Sequence, residues 1–214
     1  VSTTAASGVL PDAIYDELRT RILSRVETPG ATFTESGVAA QFGVARPTAK
    51  LAIERLVAEG LLAREPHHAA RVPELSRDDI VDLFDNRAII ESAAIARLAT
   101  SGTIPAEALA AHRALLSLDE PNAALDIEFH RALVTGQGSP RLIRAHSLLM
   151  GEIELSIGQV LANRLRTAQD VAAEHQGILD AVTAGDVELA ERLTRVHIVE
   201  SRDRLLAHFD EATK

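Results

Sequence analysis

From position 9 onward, apolar residues recur at about every fourth place. Leu10, Ile14, Leu18, Ile22 and Val26 fall on one stripe, a period that predicts an amphipathic helix with one buried face. The stretch ETPGA at 27–31 interrupts it, since Pro and Gly both break helices, and a short extended piece at 32–34 follows. Thr34 is placed to cap a short helix over 35–42. Gly43 makes a tight turn, and a second amphipathic helix runs over 46–59, with Pro47 in its tolerant first turn and Gly60 just past its end. Two short helices about a glycine turn predict a helix-turn-helix. Beyond Gly60, 61–64 and 70–72 read as two short strands around a loop at 65–69, the hairpin that makes the wing of a winged helix.

The segment PELSRDD at 73–79 marks a boundary. Pro73 breaks structure, and Ser76 with Asp79 has the spacing of a capping box. From there the pattern is helical only, over roughly 77–101, 105–118, 121–135, 139–165, 167–184 and 186–212. Six helices with short connections predict an antiparallel all-α bundle. The expected organisation is therefore mainly α: a flexible tail at 1–8, a winged helix-turn-helix at 9–75 and a helical domain at 76–214.

Composition narrows the chemistry. Aromatic residues are 3% of the 214 and Trp is absent, so the core is built from Leu, Ile, Val and Ala, which favours helices. There is no Cys, which excludes thiolate metal sites and Cys nucleophiles and suits the reducing cytoplasm. No apolar run is long enough to predict a membrane span, and no leader pattern is evident. The net charge of −9 is unevenly spread: residues 1–75 hold 8 Lys/Arg against 9 Asp/Glu, and residues 76–214 hold 14 against 22. The first part is near neutral and has room for a local basic face; the second repels phosphates.

In a helix-turn-helix the second helix enters the major groove with its first residues on bases and phosphates. Here it offers Arg46, Thr48, Lys50 and, one turn on, Glu54, with Arg46 and Lys50 on one face. An ordinary solvent-facing helix explains the same residues. Residues 10–75 resemble the winged-helix domain of GntR-family transcription regulators. The stretch LRTRILSRVETPGATFTESGVAAQFGVARPTAKLAIERLVAEGLL keeps the family spacing at Pro29-Gly30, Glu35, Gly43-Val44, Arg46, Leu56 and Glu59-Gly60-Leu61. The resemblance implies binding to double-stranded DNA through Arg46, Thr48, Lys50, Glu35 and His68. It departs from the family at four places: Ala45 replaces Ser, Lys50 replaces Arg, Leu51 replaces Glu, and His68-Ala69 replaces Arg-Gly at the wing tip. Lys keeps a phosphate contact but loses the planar fork, and Ala at a wing tip tolerates positive φ poorly.

Eight histidines are present. His67 and His68 fall in the wing loop, and His112, His146 and His208 are expected on helix surfaces. The others sit in apolar company. Asp126 and His130 are one turn apart in DIEFHRALV, His175 shares a face with Ile178, Leu179 and Val182, and His197 lies with Leu193, Ile198 and Ser201. A lone buried His is usually a satisfied core residue. One carboxylate and three imidazoles on facing helices all need partners, and a divalent cation, Zn, Ni, Fe or Mn by donor type, supplies them at once. Both readings are open on spacing alone.

Residues 77–210 resemble the FCD ligand-binding domain of the FadR subfamily of GntR regulators, with Arg87 and Glu91 in NRAIIES, Asp126 and His130 in DIEFH, His175 after Glu174, and His197 in RVH. Six helices suit the shorter, VanR-like group. The resemblance implies a divalent metal, Zn first, held by Asp126, His130, His175 and His197. A small carboxylate effector is implied on that ion, with Arg87 able to grip it; an ion pair with Glu91 is the plainer role for Arg87.

The expected function is thus a ligand-responsive DNA-binding regulator, a repressor by family habit, acting as a homodimer on a pseudo-palindromic operator and not as an enzyme. The alternatives are a DNA-binding dimer with an effector-free bundle and a metal-dependent hydrolase. The hydrolase lacks an acid or base beside the ligands, because Glu174 diverges from its neighbour His175 on a helix.

Overall fold

A computed structural model describes residues 9–120, 122–160 and 167–212. The expected tail at 1–8 and the end of the fourth bundle helix, 161–165, lie outside the described residues. The chain divides into two compact units between Leu75 and Ser76.

The first unit contains α1 (Val9–Leu23), β1 (Thr32–Phe33), α2 (Glu35–Phe42), α3 (Arg46–Ala58) and β2 (Ala70–Arg71). α1 and α2 both pack on α3, burying Ile14, Leu18, Ile22, Ile53 and Leu56. Thr34 caps α2 by accepting the Gly37 N–H, and Gly43 closes it at φ 64, so α3 starts in a new direction as a helix-turn-helix requires.

Two local expectations differ. The apolar stripe of α1 stops one turn early, leaving Val26 64% exposed. Arg25 turns to φ 61, Glu27 donates its N–H back to the Arg21 carbonyl, and Arg21 Nε donates to the Glu27 carboxylate at 2.9 Å. That local closure reverses the chain before Pro29. The wing is also built differently. β1 pairs antiparallel with β2, while 61–64 contributes a single bridge from Ala63 to Arg71. The N–H groups of Leu61 and Leu62 are spent on the Leu56 carbonyl at the end of α3, which leaves them none to offer a ladder. Strain in the wing falls on His67, at φ 66, and not on Ala69.

The second unit is helical: α4 (Arg77–Ser101), α5 (Ala106–Leu116), α6 (Ala123–Thr135), α7 (Pro140–Val160), α8 (Ala168–Ala184) and α9 (Val187–Ala212). Ser76 and Asp79 form the expected capping box at the start of α4. α4 lies along α9 and also meets α6, α7 and α8, and α5 packs on α6. The shared core includes Ile95, Leu98, Phe129, Leu133, Ile178 and Val182. No described helix is long and apolar enough to cross a membrane.

The N-cap of α3 is Ala45, which has the extended backbone of a cap (φ −70°, ψ 146°) but no side chain to accept an N–H. Ala45→Ser supplies that acceptor and should stabilise the first unit by about 0.5–2 kcal/mol; urea unfolding of the full chain followed by helical circular dichroism measures it. An unchanged midpoint for that unit would show that the cap is already satisfied by water.

Candidate functional site

Three helices of the second unit are locally arranged to bring polar groups to one point. Asn122 caps α6 by accepting the Leu125 N–H, which puts Asp126 in the first turn, where the helix dipole favours a negative charge. His130 follows one turn later on the same face. Thr167 and Asp170 form a capping box that starts α8, and Gly185, at φ 71, ends it. Asp186 then accepts the Leu189 N–H at the start of α9. α8 and α9 thereby form a hairpin, and His175 and His197 stand equally far before and after Asp186, so they face one another.

One ligand atom from each of Asp126, His130, His175 and His197 lies within 4.8 Å of the other three. His130 Nε2 is 3.1 Å from His197 Nε2. Asp126 Oδ1 is 3.1 Å from His175 Nε2 and 3.7 Å from His130 Nε2. The three histidines are 0–3% exposed, and Asp126 keeps 21% of its side chain open. Phe129 stacks on His175, with centroids 3.9 Å apart and planes at 13°, and fixes that ring from outside the cluster.

The ring nitrogens can be assigned. His197 Nδ1 is 2.7 Å from Glu174 Oε2 and hydrogen-bonded to it. His130 Nδ1 is 2.7 Å from Glu91 Oε2, with the N–H direction bent off the oxygen. A carboxylate oxygen that close is repelled by a bare lone pair, so both Nδ1 atoms carry hydrogen. In the neutral rings both Nε2 atoms then present lone pairs, and these face each other at 3.1 Å. Asp126 Oδ1 and His175 Nε2 also face each other but lack hydrogen-bond alignment, and neither has another partner among the described residues. Each buried polar atom left so costs about 1–3 kcal/mol.

Burial pushes the His175 imidazole down, to about 3, against the pull of Asp126. Burial also lowers His130, against Glu91. Burial thus favours the neutral form of both rings, the form that binds metals. Burial alone would raise Asp126, but it is outweighed by His175, His130 and His197, whose positive charge when protonated favours the carboxylate, and the carboxyl lies well below the usual carboxylate range. A carboxylate and three imidazoles, each offering one donor atom within 4.8 Å of the others, fit a divalent cation. Ligands about 2.0–2.2 Å from one ion lie roughly 3–3.5 Å apart when adjacent, matching the closest separations here.

Around this cluster lies a set of residues that the sequence pattern placed poorly. His112 and His146, expected on the surface, are 3% and 2% exposed. His112 Nε2 meets Gln176 Oε1 at 3.0 Å, and His146 Nε2 meets Glu91 Oε1 at 2.8 Å. Glu174 does diverge from His175, but it reaches His197 on the next helix. A usable signal was present for two of these. His146 stands four residues before Met150 and seven before Ile153, both buried, and Glu91 lies on the buried stripe of α4 with Phe84, Arg87, Ala88 and Ile95. Arg87 is 2% exposed. Its Nε donates to Glu91 Oε1 at 2.8 Å, as the ion-pair reading expected. Its Nη2 is buried with no partner among the described residues.

In the first unit, Arg46 and Lys50 are exposed at the start of α3, with Arg46 3.9 Å from Glu35 and Lys50 3.5 Å from Glu54. Thr48 is half-buried. Glu35 also lies 3.9 Å from Arg64, so it sits between two arginines. His68 is exposed in the wing loop, its Nδ1 2.9 Å from the Pro66 carbonyl. Leu51 is exposed beside Lys50.

Residues 10–72 match the model of the gntR family of bacterial regulatory proteins, and residues 82–200 match that of the FCD domain. A protein of Paenarthrobacter nicotinovorans named "Probable D-xylose utilization operon transcriptional repressor" is 31% identical over 79% of this chain and 76% of its own length. A regulator of Streptomyces ambofaciens, named as an HTH-type transcriptional regulator in an unstable DNA locus, is 28% identical over 92% of this chain and 87% of its own. Among solved structures, a GntR transcriptional regulator from Rhodococcus sp. RHA1 shares the fold at a TM-score of 0.69 and 22% identity, covering 92% of this chain and 97% of that one. E. coli McbR/YncC does so at 0.68 and 18%, covering 94% and 98%. With a GntR helix-turn-helix in its first unit and an FCD domain filling most of its second, the chain belongs to the GntR family and is a DNA-binding transcription regulator of the GntR/FCD type.

Proposed function

We propose that this regulator is controlled by a small organic acid bound at a divalent metal site in its helical domain, and that it acts on DNA as a homodimer. The observation that carries the metal reading is the pair of Nε2 lone pairs of His130 and His197 turned onto each other at 3.1 Å, with Glu174 and Glu91 on the far nitrogens. Outer carboxylates of this kind orient metal-binding imidazoles. Nitrogen and carboxylate donors without thiolate favour Zn, with Ni, Fe or Mn as substitutes. A bound divalent ion supplies a Lewis-acidic seat for a carboxylate oxygen. Arg87, with one buried N–H group still unpaired, is the cationic partner for the rest of such an acid.

In the first unit Arg46, Thr48 and Lys50 meet bases and phosphates from the start of α3. His68 reaches the DNA backbone from the wing. Glu35, between Arg46 and Arg64, contributes by orienting them. Two copies read a pseudo-palindromic operator, since protein two-fold symmetry is mirrored in the site. The name of the Paenarthrobacter relative supports repression, and in the proposed scheme the protein leaves DNA when the acid binds. For that, the acid must bind one arrangement of the DNA heads more tightly than the other. The regulator names of the relatives favour this reading over a metal-dependent hydrolase. So does the engagement of Glu174 with His197 and of Glu91 with Arg87 and His146, which occupies the carboxylates nearest the cluster.

Purified protein should carry close to one divalent ion per chain by elemental analysis, and Asp126→Ala and His175→Ala should each lose most of it while keeping their helical signal. Full metal content in both variants would remove the metal site, and the acid sensor with it. On an operator recovered by selection from random DNA, Arg46→Ala should weaken binding by about 1–3 kcal/mol and relax one base position, and Lys50→Ala should reduce the salt slope by about one. Unaltered affinity and salt dependence in both variants would place the DNA contacts elsewhere.

A further inference from the structure

Glu91 makes more contacts than an ion pair with Arg87 requires. Its Oε1 accepts from Arg87 Nε and from His146 Nε2, each at 2.8 Å, and its Oε2 lies 2.7 Å from His130 Nδ1. Glu91, Arg87, His130 and His146 are all 1–2% exposed. One buried carboxylate thus joins α4 to α6 and α7, and it stands directly between the arginine and a ligand of the ion site.

We propose that Glu91 is a positioning residue of the metal site, which turns the His130 lone pair inward and links the charge on Arg87 to the strength of the ion's binding. The inference rests on the metal reading above. Glu91 acts through His130: its negative charge behind Nδ1–H makes the imidazole a better donor at Nε2 and fixes its tautomer. Arg87 competes for that charge, because the same carboxylate neutralises the guanidinium. Whatever withdraws Arg87 from Glu91 leaves more of the carboxylate for His130. A carboxylate ligand taken up by the unpaired Nη2 would do this by sharing the guanidinium charge, so capture of the acid at Arg87 tightens the ion at His130 over and above any bond from the acid to the ion.

The two ends of the pair therefore do not weaken the site alike, which a merely structural role would not produce. Zn affinity of the full-length chain, measured by competition with a chromophoric chelator, should fall about 10–100-fold in Glu91→Gln. In Arg87→Met it should stay the same or tighten. Each single variant strands a buried group, so the Arg87→Met/Glu91→Gln double variant, in which neither charge is left buried alone, guards against loss of the fold. It should be folded by circular dichroism and as weak for Zn as Glu91→Gln. Equal weakening in Arg87→Met and Glu91→Gln would assign the effect to packing and overturn the inference. Wild-type affinity in the double variant would overturn it too, leaving the metal site itself intact. A wild-type protein that takes up no Zn or other divalent ion would defeat the metal reading and this inference together.

Discussion

Two imidazole lone pairs held face to face inside a protein repel one another unless a positive charge lies between them. His130 and His197 are held that way because a carboxylate stands behind each ring, and Asp126 and His175 close the same space from the other side. This constraint organises the helical unit. The Asn122 cap sets the register of α6, and the tight reversal at Gly185 makes α8 and α9 a hairpin whose histidines meet. Phe129 lies flat on His175. The apolar core of Ile95, Leu133, Ile178 and Val182 packs the same helices together.

Charge divides the two units by task. The first is near neutral overall but exposes Arg46 and Lys50 at the start of its second helix-turn-helix element. The second is strongly acidic, yet it buries Arg87 with one N–H group unused. A buried guanidinium is costly unless paired, and Glu91 supplies the pairing. Burial by itself would raise the Glu91 carboxyl, but the Arg87 charge, with His130 and His146 beside it, overcomes that and holds it well below the carboxylate range. The charged form of Glu91 is thus favoured, 2.7 Å from His130 Nδ1.

Much of this was legible in the residues. Period and punctuation located the helices to within a few positions, because caps and breakers act locally: Thr34, Ser76 with Asp79, and Gly43 each do their work within a turn of their own position. The four convergent side chains were legible too, each from its place beside an apolar stripe and from the family pattern. Misreadings arose where hydrogen bonds that the apolar pattern does not encode decided the outcome. The stretch at 61–64 has the composition of a strand, but the end of α3 claimed the N–H groups of Leu61 and Leu62. His112 and His146 look like isolated polar residues on helices until Gln176 and Glu91 are seen across from them.

The sequence by itself determined the kind of protein: helix periods, caps, a glycine turn before a basic helix, and the identity of three imidazoles and one carboxylate, all features written in neighbouring residues. Only the tertiary structure decided which nitrogen of each histidine faces inward. It also decided that Glu174 serves His197 and not its neighbour His175, and that Glu91 stands between Arg87 and His130. Those choices depend on what lies opposite a side chain on another helix, and the order of residues along one helix carries no record of that.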